Sequence, residues 1–371
     1  MAIKRFICPY PTLRPQMLLP LRRNESLPFP LNGSSGSYYY LARNAIYALT
    51  QVWRLAGQEV LFPAYFHGVE LETLIAAGAR VRFYPVHNGM CVDPDEIAGL
   101  LTSRTRAIYM IHYLGFPGPV EQLSELCRSR GISLIEDCAL ALLSRLRELP
   151  LGSFGDAAVF CLYKTLPLPN GGALVMSGHG CRPPEATPPP FFSTMAYTAA
   201  AICRHLYPNG SGAMRTVARS ASQSLGIIPV GTEHFDVSGA DLAISRLCYK
   251  IVAAQNFADI VRTRRLNYLH LLCRLADVTT PVYAGLPAGV CPLFYPIRAR
   301  NKSRVLGRLL ERGIEAVNFW SRSSALIPQG AFPEVDELRK TIVELPCHQD
   351  LSYDAIDMIA DEVSLLRDDL Y

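Results

Sequence analysis

Three places in this chain put a reactive side chain in a setting that could make it chemically useful. Lys164 follows the apolar run FCLY and precedes TLPLPNGG. A lysine just past a buried strand, beside a rigid turn, can sit in a desolvated pocket where its pKa falls and its amine becomes nucleophilic. The plain alternative is a lysine that reaches out to solvent. Glu136 and Asp137 close the apolar run ISLIED. They would set a carboxylate at the ligand-binding edge of a sheet, or serve a helix N-cap or a loop ion pair. Ala42-Arg43-Asn44 marks the first strand–helix junction. Free N–H groups and the positive end of a helix dipole there suit an anion such as a phosphate, unless Asn44 is an ordinary N-cap.

The elements that must position these residues follow from the hydrophobic pattern. Residues 37–41 (SYYYL) read as a strand, and residues 44–56 carry apolar side chains at helical spacing. Strand-like runs recur at 59–65, 81–86, 105–115, 132–137, 156–162 and 172–176. Helical segments lie between them: GVELETLIAAGA closing at Gly78, one opening at Asp93-Pro94, and one near 119–130. This alternation predicts βαβ units and a largely parallel sheet buried on both faces, with functional residues just beyond the strand ends. Residues 177–232, rich in proline and small residues, break the rhythm and read as an excursion. A long helical region at 241–276 bridges to strands near 291–297 and 342–345 and helices near 302–313 and 353–366. The expected division is a large domain over 1–250 and a smaller α+β domain over 251–371.

Composition excludes several classes. Half of the 371 residues are apolar and 18% are charged, a globular balance. The net charge of +4 includes no long basic run, so nucleic acid binding has no support. The N-terminal stretch lacks the apolar core of a signal peptide, and no window reaches the roughly 18 apolar residues of a membrane span. A soluble protein with no membrane partner is expected. A mean hydropathy of +0.15 fits either a large core or extra burial at a subunit interface. Eleven scattered cysteines without a CxxC pair read as reduced thiols in a cytoplasmic protein. His179 and Cys181 are close in sequence but fall short of a zinc ligand set, so no metal site is expected. The glycines of NGSSGS lie upstream of the first strand, which rules against a dinucleotide fingerprint or a P-loop.

The order and spacing LIEDCA…LGSFGDAAVF…K…NGGALV resembles the DegT-like sugar aminotransferases, within the fold-type-I pyridoxal-phosphate enzymes. EVLFPAY, the stretch from DPDEIAGLL to YLGFPGP, and the terminal ELPCHQDLSYDAIDMIADEV add to it. The resemblance covers residues 38–176 well and 235–371 moderately. It implies a large domain with a mostly parallel sheet sandwiched by helices, plus a smaller C-terminal α+β domain. It further implies that Lys164 carries pyridoxal 5'-phosphate as a Schiff base and that Asp137 pairs with the pyridinium nitrogen. Arg43 and Asn44 fall where the family cradles the phosphate. His67 falls where an aromatic ring stacks on the cofactor, with Tyr65 and Phe66 as alternatives, and Cys161 where relatives have a phosphate-binding serine.

Some positions depart from the family. Ala-Arg-Asn stands in place of the usual Ser-Gly-Thr at the helix start, and Leu140 replaces a ring-contacting Gln or His. The expected activity is amino transfer, with glutamate as the expected donor, to a keto group of a sugar, a nucleotide-linked sugar or a similar polar metabolite. Shared active sites in a homodimer are implied, and Phe319, Trp320 and Ser321 are expected on the substrate side or in interdomain packing. A dehydratase with the same cofactor is the alternative, disfavoured by Lys164 because such relatives carry a histidine there. A catalytically silent scaffold is the other.

Overall fold

A computed structural model describes residues 6–19, 26–32, 36–177, 183, 185–206 and 234–371. His179 and Cys181, and much of 177–232, lie outside the described residues. Seven strands build the main sheet: β1 (Gly36–Tyr39), β2 (Glu59–Pro63), β3 (Arg80–Tyr84), β4 (Thr105–Ile111), β5 (Ser133–Asp137), β8 (Ala157–Cys161) and β9 (Gly172–Met176). The short hairpin β6 (Arg145–Leu146) and β7 (Leu149–Pro150) lies apart from it. The sheet order is β1-β9-β8-β5-β4-β2-β3. Strands β3, β2, β4, β5 and β8 run parallel, β9 is antiparallel to them, and β1 pairs antiparallel with β9 and so resumes their direction. All five residues of β8 are buried, as a strand covered on both faces requires.

Helices α1 (Ala42–Val52), α2 (Val69–Ala76), α3 (Pro94–Leu100) and α4 (Val120–Arg130) connect these strands. Their ends follow local chemistry. Asp93 caps α3 by accepting from the Asp95 amide, with Pro94 in the first turn. Helix α4 buries Val120, Leu123 and Cys127 and stops at Gly131, whose φ of 64° a glycine adopts without penalty. One part of the sequence reading is corrected here. Asn44 is not an N-cap: α1 begins at Ala42, Leu41 is its cap residue, and no side chain caps it.

Within the irregular region, α5 (Phe191–Leu206) is helical. The expected long bridge is two helices, α6 (Arg246–Ala253) and α7 (Phe257–Arg274), because Asn256 breaks the run and caps α7 by accepting from Asp259. A second sheet, β10 (Phe294–Arg298), β12 (Ile342–Pro346) and β11 (Val317–Asn318), is antiparallel in that order. Helices α8 (Lys302–Glu311), α9 (Pro333–Thr341) and α10 (Tyr353–Ser364) accompany it. The N-terminal stretch joins this part of the molecule, since Ile7 pairs with Ile314. Among the described residues no helix is long and apolar enough to cross a membrane.

Candidate active site

A cavity of about 300 Å³ lies where the carboxyl ends of the parallel strands face the second sheet. Ile111, Asp137 and Cys161, at the ends of β4, β5 and β8, form its floor. This is the edge at which open α/β sheets take ligands. Lys164 enters from the turn after β8, Arg43 from the head of α1, and His67 from the connection between β2 and α2. Five of the six expected site residues therefore converge. Asn44 is the exception: it does not line the cavity, and its amide donates to the carbonyl of Gly239.

Asp137 is fixed on both oxygens. Tyr109 donates its hydroxyl to Oδ2 at 2.6 Å, and the Ala139 amide donates to Oδ1 at 2.8 Å. Burial raises the Asp137 pKa, the nearby Glu70 carboxyl adds to that, and Tyr109, Ala139 and Lys164 oppose it. The neighbouring Glu136 points away from the cavity into a structural role. It accepts from His112 Nε2 and from the amides of Gly152, Phe154 and Gly155. Burial works against its charge, but these donors hold its pKa below the ordinary carboxylate value. His112, Glu136 and Cys138 lie close enough to hold a metal ion. Glu136 is already saturated by those donors, so the cluster reads as the anchor of the 152–155 loop.

The turn that carries Lys164 is pinned from the far side of the molecule. The Thr165 carbonyl accepts from Arg264 and from Gln349, and the fully buried Arg264 also donates to the carbonyls of Pro292 and Leu293. The NGG segment after it is equally constrained. Asn170 exchanges hydrogen bonds with Ser245, and Gly171 takes φ 145°. A Cβ on Gly172 would lie 2.4 Å from the carbonyl of Leu41 and 2.5 Å from the nitrogen of Ala42. Only glycine lets β9 run this close to the head of α1.

At that head, Ala42 and Arg43 are the first helical residues and both line the cavity. The Arg43 guanidinium, nine-tenths buried, donates to the carbonyl of His234, and burial lowers its pKa. Cys161 is buried beside them, its thiol pushed up by burial and opposed by Lys164. Of the three ring candidates after β2, His67 lines the cavity, whereas Tyr65 and Phe66 are buried behind it. Leu140 also faces the cavity, an apolar side chain among these polar groups.

The opposite wall comes from the second sheet. Phe319 and Trp320 stack with centroids 4.2 Å apart and line the cavity, while Ser321 is exposed and does not. Arg339 holds this wall. Its guanidinium donates to the carbonyls of Ala64, Phe66, Trp320 and Arg322, tying the loop after β2 to the loop after β11. Three cavity residues gave no signal to the strand-end rule as applied above: Glu70, Tyr10 and Glu344. Glu70 stands close after the apolar run of β2, so the same rule extended a few residues would have found it. Tyr10 comes from the N-terminal stretch and Glu344 from mid-strand, where neither spacing nor strand ends point to a site.

Residues 42–179 match the DegT/DnrJ/EryC1/StrS aminotransferase family. The chain is 25% identical over 335 residues to a dTDP-4-dehydro-2,3,6-trideoxy-D-glucose 4-aminotransferase of Saccharopolyspora spinosa, covering 86% of this chain and 80% of that one. Over 123 residues it is 33% identical to an L-glutamine:scyllo-inosose aminotransferase of Streptomyces griseus, 32% of this chain and 29% of that relative. In three dimensions it resembles a putative sugar aminotransferase of Streptococcus pneumoniae in its PLP form. That match has a TM-score of 0.70 at 14% identity and covers 98% of this chain and 99% of the other. The architecture is thus that of the fold-type-I enzymes, with a mostly parallel sheet between helices and a smaller α+β part.

Proposed function

We propose that the chain, which matches the DegT/DnrJ/EryC1/StrS aminotransferase family over residues 42–179, is such an aminotransferase and transfers an amino group from glutamate to the ketone of a sugar or similar polyol. The observation that carries this reading is the convergence of Lys164, Asp137, Arg43 and His67 on one cavity at the carboxyl edge of the sheet. This donor set fits pyridoxal 5'-phosphate. Lys164 offers an amine for the carbonyl carbon, and Asp137 keeps lone pairs free for a ring N–H beyond those used by Tyr109 and Ala139. Arg43 and the head of α1 offer positive charge to the phosphate, and His67 offers a ring face. Cys161 stands beside the phosphate position as a weaker donor than a hydroxyl.

When bound, the cofactor supplies an electron sink for the carbon that loses its proton. The chain's own residues do the rest. Lys164 Nζ would hold the cofactor and would be the base that takes the proton from the substrate carbon and returns it. Asp137, when ionised, keeps the ring nitrogen protonated. Phe319 and Trp320 cover the substrate side and limit the access of water.

Two parts are supported by the two sheets, whose strands fall within 36–176 and 294–346, although residue 250 itself lies inside α6 and the N-terminal stretch packs with the second part. A homodimer with shared sites is supported by the family and by the exposed Phe191, Phe192 and Met195 on one helix. The ten cysteines among the described residues form no disulfide, in keeping with a reducing, cytoplasmic setting.

The test is borohydride reduction of protein incubated with pyridoxal phosphate, followed by peptide mass spectrometry. The cofactor mass is expected on the Lys164 peptide of the wild type and absent in Lys164→Ala. In a parallel sample left unreduced, glutamate should bleach the visible band of the bound cofactor. Labelling that persists in Lys164→Ala would overturn the assignment.

A further inference from the structure

One group in the cavity has no part in holding the cofactor. Glu344 sits mid-way along β12, the central strand of the second sheet, paired in register with Pro296 and Val317. It is 1% exposed and lines the cavity together with Lys164 and Asp137. Among the described residues its Oε1 atom has no hydrogen-bond partner. A buried carboxyl oxygen without a partner is costly, so such a group can mark a place where a ligand completes the bonding. The Lys302 amine and the two Nη atoms of Arg339 are turned to backbone carbonyls instead: Lys302 donates to those of Phe319 and Arg339, and the Arg339 guanidinium to four.

We propose that Glu344 determines acceptor specificity: its carboxyl hydrogen-bonds a hydroxyl flanking the reacting ketone of a neutral, polyhydroxylated substrate. The inference rests on the reading of this cavity as the amino-transfer site. Position supports it, because Glu344 reaches the cavity from the second sheet, opposite the floor formed by Asp137 and Cys161 and on the same side as Phe319 and Trp320.

Hydrogen-bonding capacity favours a hydroxyl. Burial pushes the Glu344 pKa up, opposed by Lys164 and Lys302, and a carboxyl accepts in either form and also donates when protonated. A hydroxyl matches both roles. Glu344 lies on the wall of the second sheet, where the hydroxyls of an acceptor would meet it. The apolar and aromatic remainder of this wall, Phe294, Val317, Phe319 and Trp320, suits the C–H faces of a sugar or cyclitol ring.

The experiment uses full-length protein loaded with pyridoxal phosphate, a state in which a ketone binds without reacting. Calorimetry measures scyllo-inosose, a polyhydroxylated ketone, against 2-oxoglutarate, a keto acid, on wild type, Glu344→Gln and Glu344→Leu. Cyclitol affinity should depend on Glu344, whereas 2-oxoglutarate, the keto acid of the proposed donor, should bind alike in all three proteins. Gln keeps a donor and an acceptor and should stay within about threefold of wild type for the cyclitol, whereas Leu should lose about tenfold or more. Borohydride capture of the cofactor on Lys164 in every variant checks that the site is formed. Equal cyclitol affinity in wild type and Glu344→Leu would overturn the proposal. So would a Gln variant as weak as Leu, no cyclitol binding by the loaded wild type, or an equal loss of 2-oxoglutarate affinity in Glu344→Leu. Failure to capture cofactor on wild-type Lys164 would instead sink the underlying aminotransferase reading.

Discussion

At the scale of single residues, the site balances one buried charge against its neighbours. On the proposed reading Asp137 must be ionised to keep a ring nitrogen protonated, yet burial and Glu70 favour its neutral form. The Tyr109 hydroxyl donates to Asp137 Oδ2 and so favours the charged form. Removing that donor raises the Asp137 pKa further, and activity that needs the carboxylate is then lost at higher pH on the acid side. In Tyr109→Phe the acid limb of the single-turnover reaction with glutamate should move up by about one pH unit. An unmoved limb would mean that another group sets it. That Lys164 and Asp137 stand at the cavity was legible in the sequence, because ligands meet such sheets just beyond the ends of their strands. Glu344 was not, because an acidic residue inside a strand reads as a solvated face until the cavity beneath it is known.

At the scale of elements, strand–helix alternation gave the parallel sheet and its helices within a few residues, because each strand is buried on both faces and each helix buries one stripe. What it missed are features set by tertiary contact. The two-residue strand β11 exists through its pairing with β12, and Asn44 turned out to bond Gly239 across the structure. The Gly172 contact is of the same kind: sequence gives a sharp turn, and structure gives its reason. Gly172→Ala would press a methyl group against the backbone of Leu41 and Ala42, neither of which can rotate away. The variant should lose about 1–3 kcal/mol of stability in chemical denaturation. It should also bind pyridoxal phosphate less tightly, since the displaced element is the head of α1. A fall in stability with unchanged cofactor affinity would separate the turn from the phosphate position.

At the scale of the whole molecule, the chain closes on itself so that both ends build the site. The Ile7 amide donates to Gly313, the Thr12 amide and the Arg14 guanidinium bind Asp350, and Tyr10 passes between these anchors into the cavity against Phe294. His348 locks this strap. Its Nε2 bonds the Cys8 carbonyl at 3.0 Å, and its Nδ1 accepts from the Asp350 amide at 3.3 Å. An imidazole that donates through one nitrogen and accepts through the other must be neutral. In agreement, burial takes its pKa from 6.5 down to about 4, with Asp350 opposing and Arg264 adding to the fall. The folded-state pKa is below the unfolded one, so the unfolded chain binds the extra proton. Stability is therefore full above about pH 6.5 and declines as pH falls toward about 4, by up to about 3 kcal/mol from this residue. His348→Gln keeps a donor for Cys8 without the titration. Between about pH 7 and pH 4.5 its denaturation midpoint should fall less than that of the wild type. Equal acid sensitivity in the two proteins would assign the loss to buried carboxylates elsewhere and leave the N-terminal strap pH-independent.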